Sequence, residues 1–587
     1  MIITKGRGNM YKRFLVYIGV GLVYMAMVIS GCSSGSSSST NPGYANICNS
    51  FAGGTRLLSI SPTTGSQFGD QKVTAVINNF NAGITTTAYL GNMVRDFTVT
   101  SQSGNDVTIS FTTAGTPTAG TYPLVISNGN GVCEYYENVY TYTPPLNKVF
   151  NTFVAIGASY TAGFQSDSYN GVAQLNGPAT WVARMAGAYF PLPLFKMPGI
   201  PPAPGFDILD TTGNISLNSS DLVSIIENAL INPKTQQFNI PGVFVNPYVP
   251  TYNIAIPGAV IQDVVLGPNS QSGRVLGVIV LSNILFEPLV NNLFETVDIQ
   301  PETVMAQELH PTIIMSTDLY GNDIIDDNTT LTQFTQFITQ AVQAFASTGA
   351  QVFLGNVPHI SIFPSKQQGV INQLAQCQLT LNDVPLQQLD NASCYGSNCT
   401  DNCSTFSSNF TSNTKDAGCI KAACESMAGT NNRLESFNSE FAKVVSQYPN
   451  VHIVPFDALM RGDISLAGQR ISFDTYGFPI YKINGQTITL NHLGGFFSLD
   501  DLHPTNTGYA IIASIFVQTI NNILGTNVPL PPLDSILASD PLSPTALSGY
   551  CSQTSNKEKL YCQCVNGSGD PMSVTTFTCE TQYNIYK

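Results

Sequence analysis

Charge is scarce in this sequence, and positive charge is scarcest. Charged residues make up 10% of the 587, and 23 Lys and Arg stand against 37 Asp and Glu, a formal net charge of -14. No basic surface is available to release phosphate counterions, which argues against a nucleic-acid partner. The same deficit argues against docking on anionic lipid through charge alone. Tryptophan occurs once, at Trp181. The five histidines all lie outside the cysteine clusters, and the cysteine spacings are irregular, so disulfides are a better reading of them than zinc. What is abundant is apolar and small: 43% hydrophobic residues with many Gly, Ser, Thr and Asn. That composition suits a folded, exported protein rather than a disordered one.

The N-terminus carries the export signal. Lys5, Arg7, Lys12 and Arg13 precede an apolar run from Phe14 to Ile29, then Ser30-Gly31-Cys32. A basic head, a short apolar core and small residues at the end describe a secretory signal peptide. The run is shorter than the ~20 residues of a comfortable membrane span. Ile-Ser-Gly-Cys resembles a bacterial lipobox, which implies lipidation of Cys32 as the mature N-terminus. Ser33 in place of Asp implies sorting to the outer membrane or cell surface. Setting Cys32 aside, 12 of the 13 cysteines remain. They group as Cys48 and Cys133; Cys377, Cys394, Cys399, Cys403, Cys419 and Cys424; and Cys551, Cys562, Cys564 and Cys579. Each group is even, as locally closed disulfide sets in an oxidising compartment require. Pairing within the two larger groups stays open.

Five segments follow from the pattern: a signal peptide at 1–31, a Ser/Gly-rich tether at 32–44, a β-rich unit at 45–146, a larger unit at 147–526, and a Pro-rich connection with a Cys-rich tail at 527–587. The β-rich unit has short apolar runs at Leu57–Ile60, Lys72–Ile77, Val107–Phe111 and Tyr122–Ile126, separated by turn residues, which predicts a β-sandwich. SISPTTGSQFGDQKVTAVINNF and AGTYPLVISNGNG resemble the IPT/TIG immunoglobulin-like domain. Cys48 and Cys133 lie near the two ends of the unit, placed to staple them. In the larger unit, strand candidates Phe153–Ile156, Tyr252–Ile256, Thr312–Met315, Gln351–Leu354 and Val451–Val454 alternate with helix candidates Ala179–Tyr189, Leu331–Ala346, Arg433–Gln447 and Asn506–Ile523. The last helix places Tyr509, Ile512, Phe516, Ile520 and Ile523 near one face. Such alternation predicts an α/β fold with a doubly wound parallel sheet and chemistry at the carboxyl ends of its strands. A Cys-rich stretch at about 365–429 interrupts the rhythm as an insertion placed to overhang the site.

Three strand ends carry unusual residues. The first strand runs into Gly157-Ala158-Ser159, where flanking glycines permit a tight turn that exposes a serine nucleophile. Downstream, Asp500 precedes His503 by three residues, a spacing at which a carboxylate can orient the ring while the histidine accepts the serine proton. His310 follows Glu308 at the start of a strand, His359, His452 and His492 show no comparable local arrangement, and all four read as loop or core histidines. After the third strand, Tyr320-Gly321-Asn322-Asp323 offers an amide donor for a developing oxyanion.

FVAIGASYTAGF, YNIAIPGA, LYGNDI and LDDLHPTNTGYAIIA resemble, in order, four blocks of the SGNH (GDSL-like) hydrolases, over about residues 149–525. GNVPHISIFP and PNVHIVPFDAL are lesser echoes. The resemblance implies a flavodoxin-like three-layer sandwich with a parallel sheet. It also implies Ser159 as nucleophile, His503 as general base and Asp500 as its partner, with Asp501 the weaker choice. The oxyanion hole would be formed by the Ser159 N–H, the Gly258 N–H and the Asn322 side chain. No metal or other cofactor is required. Two positions depart from the family: Ala158 stands where an Asp usually precedes the nucleophile, and Tyr320 stands where the third block usually has Gly.

These residues imply ester hydrolysis by a lipid-anchored serine esterase or lipase acting on a lipid or short acyl ester. A surface adhesion or binding protein retaining an inactive hydrolase fold, and a polysaccharide deacetylase, are the alternatives. Neither the acyl chain nor the alcohol is legible. The apolar stretch YFPLPLFKMPGIPPAP, at about 189–204, reads as an acyl-binding wall or as core packing, with packing slightly favoured.

Overall fold

The computed structural model describes residues 47–553, apart from 82–86, 128–129, 167, 197–198, 200–250, 268–299, 326–328, 360–361, 365–366, 381–382, 393–398, 467–471 and 475–476. The signal segment, Cys32, the tether, Cys394 and the cysteines after Cys551 lie outside the described residues.

In the β-rich unit, the strands Arg56–Ser61, Lys72–Asn78, Arg95–Ser103 and Asp106–Thr112 pair into one sheet. Gly120–Ser127 and Val132–Thr143 centre a second. The two sheets share one core: Val73, Ala75, Ile77, Ile109 and Phe111 from the first meet Leu124, Ile126, Tyr140 and Tyr142 from the second. Alternation along Lys72–Asn78 sends Val73, Ala75 and Ile77 inward with no exposure, as a sheet wet on one side requires. Cys48 and Cys133 are bonded across 85 residues of chain. A loop of that length contributes about 4–5 kcal/mol in the chain-entropy account of disulfides.

Four parallel strands form the sheet of the larger unit: β1 (Phe153–Ala155), β2 (Ile313–Ser316), β3 (Gln351–Gly355) and β4 (Val451–Val454), hydrogen-bonded in that order. The predicted second strand runs beside β1 as an edge ladder: the Ala155 N–H donates to Tyr252 O at 2.9 Å and the Ile254 N–H to Ala155 O at 2.8 Å. Ala155 faces Asn253 in this ladder, and the Ile256 N–H donates to Gly157 O at 2.9 Å. Counting that segment, the spatial order is 2-1-3-4-5, a doubly wound α/β arrangement whose strand order reverses beside β1.

Helices cover both faces. They include α1 (Ser159–Ala162), α2 (Pro178–Ala186), α3 (Ile261–Leu266), α4 (Glu302–Glu308), α5 (Leu331–Ser347), α6 (Thr414–Val445) and α7 (Asn506–Leu524). Because strand side chains alternate, Phe153, Ala155, Ile313, Met315 and Phe353 join one core with α2 and α7. Val154, Ile314, Val352 and Leu354 join another with α3, α5 and the C-terminal part of α6. The result is three layers.

Several boundaries differ from expectation. The helix expected at Arg433–Gln447 begins at Thr414 and is 32 residues long, so the last part of the insertion, from Thr414 on, is continuous with it, while Gln368–Ala375, Leu386–Ala392 and Cys399–Phe410 form shorter helices before it. Cys377–Cys419 and Cys403–Cys424 tie the helical insertion to it. Ile523, expected on the buried face of α7, is 44% exposed. In its first twelve residues that helix is instead buried all round, down to Ala513 and Ser514. The Pro-rich connection packs back on the sheet domain: Val528, Ile536 and Leu537 join its core. Asp540 accepts from the N–H and the hydroxyl of Thr507 at 2.8 and 2.7 Å in the first turn of α7. Tyr189–Phe195 is buried, with Phe190 edge-on to Phe153 at 5.3 Å, so its described part serves as packing.

The two units meet at Arg184 of α2. Its guanidinium pairs with Asp70 of the β-rich unit at 2.8 Å and lies over Trp181 and Phe68 at 4.3 and 5.1 Å. The lone tryptophan is thus committed to this junction.

Candidate active site

The carboxyl ends of β1 and β2 and the loop before α7 converge on one pocket. At the end of β1, Gly157 sits at φ +119°, and a Cβ there would fall 2.4 Å from Ser316 Oγ, so only glycine fits. The chain then turns into α1, putting Ser159 at the pocket wall.

The loop before α7 holds its carboxylate by local geometry. Asp500 Oδ1 accepts from the N–H groups of Leu502 and His503 at 3.0 and 2.8 Å, an Asx-type turn. Oδ2 is thereby aimed at His503 Nδ1, 2.8 Å away. The opposite ring nitrogen, Nε2, lies 2.9 Å from Ser159 Oγ. Phe164 and Tyr160 flank the ring at centroid distances of 4.8 and 5.7 Å. The loop closes into α7 through Thr505, whose hydroxyl accepts from the Gly508 N–H at 3.0 Å as an N-cap.

Asn322 lines the same pocket, and its Nδ2 donates to Ala259 O at 2.8 Å. That bond uses one amide hydrogen and fixes the direction of the second. It also links the third block to the turn at Gly258, where φ is +84°. Tyr320 does not obstruct the pocket. Its ring is fully buried between Phe334 and Phe441, and its hydroxyl donates to Asn438 Oδ1 at 2.6 Å. Asp323 accepts from the Ile261 N–H and the Thr329 hydroxyl, both at 2.8 Å, and burial pushes its carboxyl up to about 7.

Serine, imidazole and carboxylate at these distances can act as a proton relay when the ring carries its hydrogen on Nδ1 and Nε2 accepts. The pocket beside them holds about 50 Å³ and is walled by Ile324, Val357, Phe363, Leu434, Phe456 and Leu502. The GDSL-like lipase/acylhydrolase profile matches residues 153–516. The chain belongs to that family. No curated protein matches it. For a GDSL-like acylhydrolase, this membership supports a hydrolase acting on an ester or acyl substrate, and it accounts for the α/β architecture.

Sequence reading missed the contacts of several groups that the fold brings to this GDSL-like centre, including those of Asp501, which it named only as the weaker partner for His503. Asp501, beside the relay carboxylate, faces the other way: both its oxygens lie 2.7 Å from His492 Nδ1. Glu302 of α4 accepts from the Gly157 N–H at 2.6 Å, and burial holds its carboxyl well above the usual range. Asp318 underlies the nucleophile turn. None of the three advertises itself locally, because the partners are 9, 145 and about 160 positions away. His359, read as an ordinary core histidine, lies between Asp390 at 2.8 Å and Glu435 at 2.7 Å.

Proposed function

We propose that this protein is an exported serine esterase that hydrolyses carboxylic esters of short acyl chains through an acyl-enzyme. The observation that carries the reading is the Ser159–His503–Asp500 relay opening on an apolar pocket. Ser159 Oγ attacks the ester carbonyl carbon while His503 Nε2 takes its proton and Asp500 stabilises the imidazolium. Negative charge on the carbonyl oxygen is met by the Ser159 and Gly258 N–H groups and the free amide hydrogen of Asn322. Collapse breaks the bond to the alkoxide, which leaves with the proton from His503. Water, deprotonated by the same ring, then attacks the acyl-serine and releases the acid.

The pocket favours a short chain. At about 50 Å³ it is small beside the roughly 300–1,000 Å³ of sites that take drug-sized ligands. Its apolar wall suits an acyl tail better than a sugar ring. The N-terminal β-unit is read as an IPT/TIG-like immunoglobulin-fold domain, supported by its two sheets over one core. The chain is read as anchored at the outer membrane or cell surface through Cys32, on the strength of the lipobox-like segment alone.

The test uses oxidised protein beside Ser159→Ala, with chromogenic esters of increasing acyl length and an acetylated sugar. Turnover peaking at two to four carbons and lost in the variant is the expected result. A peak on long chains overturns the short-chain assignment, and a peak on the acetylated sugar favours a polysaccharide deacetylase. No turnover, together with failure of a serine-directed phosphonate to label Ser159, leaves a binding protein on an inactive hydrolase fold.

A further inference from the structure

Position 158 carries alanine where the resembling family has aspartate, yet the nucleophile turn is not without a carboxylate. Asp318, two residues beyond the end of β2, reaches under it. Its Oδ1 accepts from the Ala158 N–H at 3.2 Å, the Thr161 N–H at 3.1 Å and the Thr161 hydroxyl at 2.8 Å. Its Oδ2 accepts from the Tyr160 N–H at 2.8 Å. Of the four consecutive amides from 158 to 161, three are therefore bound by one carboxylate. The exception is Ser159, whose N–H makes no hydrogen bond among the described residues. The Thr161 hydroxyl also accepts from the Thr317 N–H at 2.8 Å, locking the β2 end to the turn a second time. Gly157 keeps these groups together, since a Cβ there would stand 2.4 Å from Ser316 Oγ and 3.2 Å from Thr161 Oγ1, the hydroxyl that donates to Asp318.

We infer that Asp318 is the positioning residue of the nucleophile turn. From the neighbouring strand it supplies the carboxylate that position 158 does not carry, and it leaves the Ser159 N–H as the one amide of the turn available to an oxyanion. The inference rests on the reading of Ser159 as nucleophile. The physical reason is orientation: the directions of Oγ and of the Ser159 N–H are set by the backbone dihedrals of residues 158–160. A carboxylate accepting on both sides of Ser159 holds those dihedrals against rotation. Asp318 takes no proton in the reaction. Its oxygens are occupied by turn donors, and His503 already meets Ser159 Oγ. Its effect is on geometry, where a displacement on the order of 1 Å costs about 100-fold in rate.

The experiment takes the full-length, oxidised protein in detergent as wild type, Asp318→Asn, Thr161→Val and Ser159→Ala. It records kcat and KM on a short chromogenic ester, the rate of Ser159 labelling by a fluorophosphonate, and the thermal unfolding midpoint. Asparagine keeps the shape but replaces one acceptor oxygen with an NH2 that cannot receive the turn's N–H groups. Asp318→Asn is expected to lower kcat and the labelling rate together by about 10- to 100-fold, with KM within about twofold. Thr161→Val, which removes only the hydroxyl donor, is expected to lower both several-fold. A purely structural role would lower the midpoint and leave the kcat of the folded fraction unchanged, and that result overturns the inference. Wild-type kcat and labelling in folded Asp318→Asn overturn it as well. If Asp318→Asn does not fold, Thr161→Val decides, and an unchanged kcat there counts against it. A wild type that neither turns over ester nor labels sinks the esterase reading and this inference together. An active wild type beside an equally active Asp318→Asn sinks the inference alone.

Discussion

Two histidines in this molecule sit against carboxylates at the same 2.8 Å, and their surroundings give them opposite capacities. His503 contacts Asp500 through Nδ1 and the Ser159 hydroxyl through Nε2, so the nitrogen opposite its carboxylate faces a hydroxyl that can give up a proton. His359 contacts Asp390 through Nδ1 and Glu435 through Nε2. Burial alone would lower its pKa, but hydrogen bonds to the two carboxylates outweigh that and raise it to about 10. A ring that donates from both nitrogens is a fixed cation with nothing left to accept. It serves as a pin: Asp390 belongs to the insertion, Glu435 to α6 and His359 to the loop after β3, so one imidazolium joins the insertion to the sheet domain. Asn431 adds a 2.8 Å bond to the other oxygen of Asp390. The difference between a base and a pin therefore lies in the second partner of the ring.

The sharpest way to break this contrast is to remove each ring's function in turn. Ser159→Ala and His503→Ala should each reduce ester turnover by about 10⁴-fold or more, and the double variant little further, because relay members act as a unit. Their unfolding midpoints should stay near wild type. His359→Ala should do the reverse. It leaves Asp390, 3% exposed, as a buried carboxylate without its cation, and breaking a buried pair costs about 3–5 kcal/mol. Calorimetry should show a marked fall in the midpoint, while kcat per folded molecule on a short ester stays within a few-fold. A His359→Ala protein that keeps its midpoint but loses turnover would erase the distinction drawn between the two sites.

The contrast also explains what could be read from the sequence. Asp500 and His503 are three positions apart, so a turn brings them together and the spacing alone announces the pair. His359 finds its carboxylates 31 and 76 positions away, and no local pattern can announce contacts made by tertiary packing. The same logic divides the fold. The strands of the parallel sheet were legible as short apolar runs, and their ends fell within a residue of expectation. The start of α6 was not, because Thr414–Gly429 is polar and Cys-rich and becomes helical by packing Ile420, Ala423 and Met427 on the core. Asp318 escaped notice for another reason. An aspartate after a strand is an ordinary turn residue until the fold sets three backbone amides from 157–160 positions earlier against it.

A smaller effect sharpens the role of Asn322. Replacing it with alanine deletes the proposed oxyanion donor and its bond to Ala259, which should cost about 100- to 1,000-fold in kcat. The loss should appear in kcat with KM little changed, as expected for an interaction that strengthens only when the oxyanion forms. A loss confined to KM would assign Asn322 to ground-state binding instead.

The smallest effect is the response of the His359 pin to pH, and its sign follows from linkage. The folded-state pKa, about 10, lies above the ordinary 6.5 of histidine, so between those values the folded chain holds a proton that the unfolded chain has released. Stability from this group is thus complete below about pH 6.5 and is lost as pH rises through about 10. The loss should be gentler than in His359→Ala, because a neutral imidazole still donates to one carboxylate and fills its cavity. Midpoints measured from pH 6 to 10 should fall for the wild type and fall less for Asp390→Asn, in which one of the two charges holding the proton is gone. Parallel slopes for the two proteins would mean that the imidazolium between Asp390 and Glu435 is not what joins the insertion to the sheet.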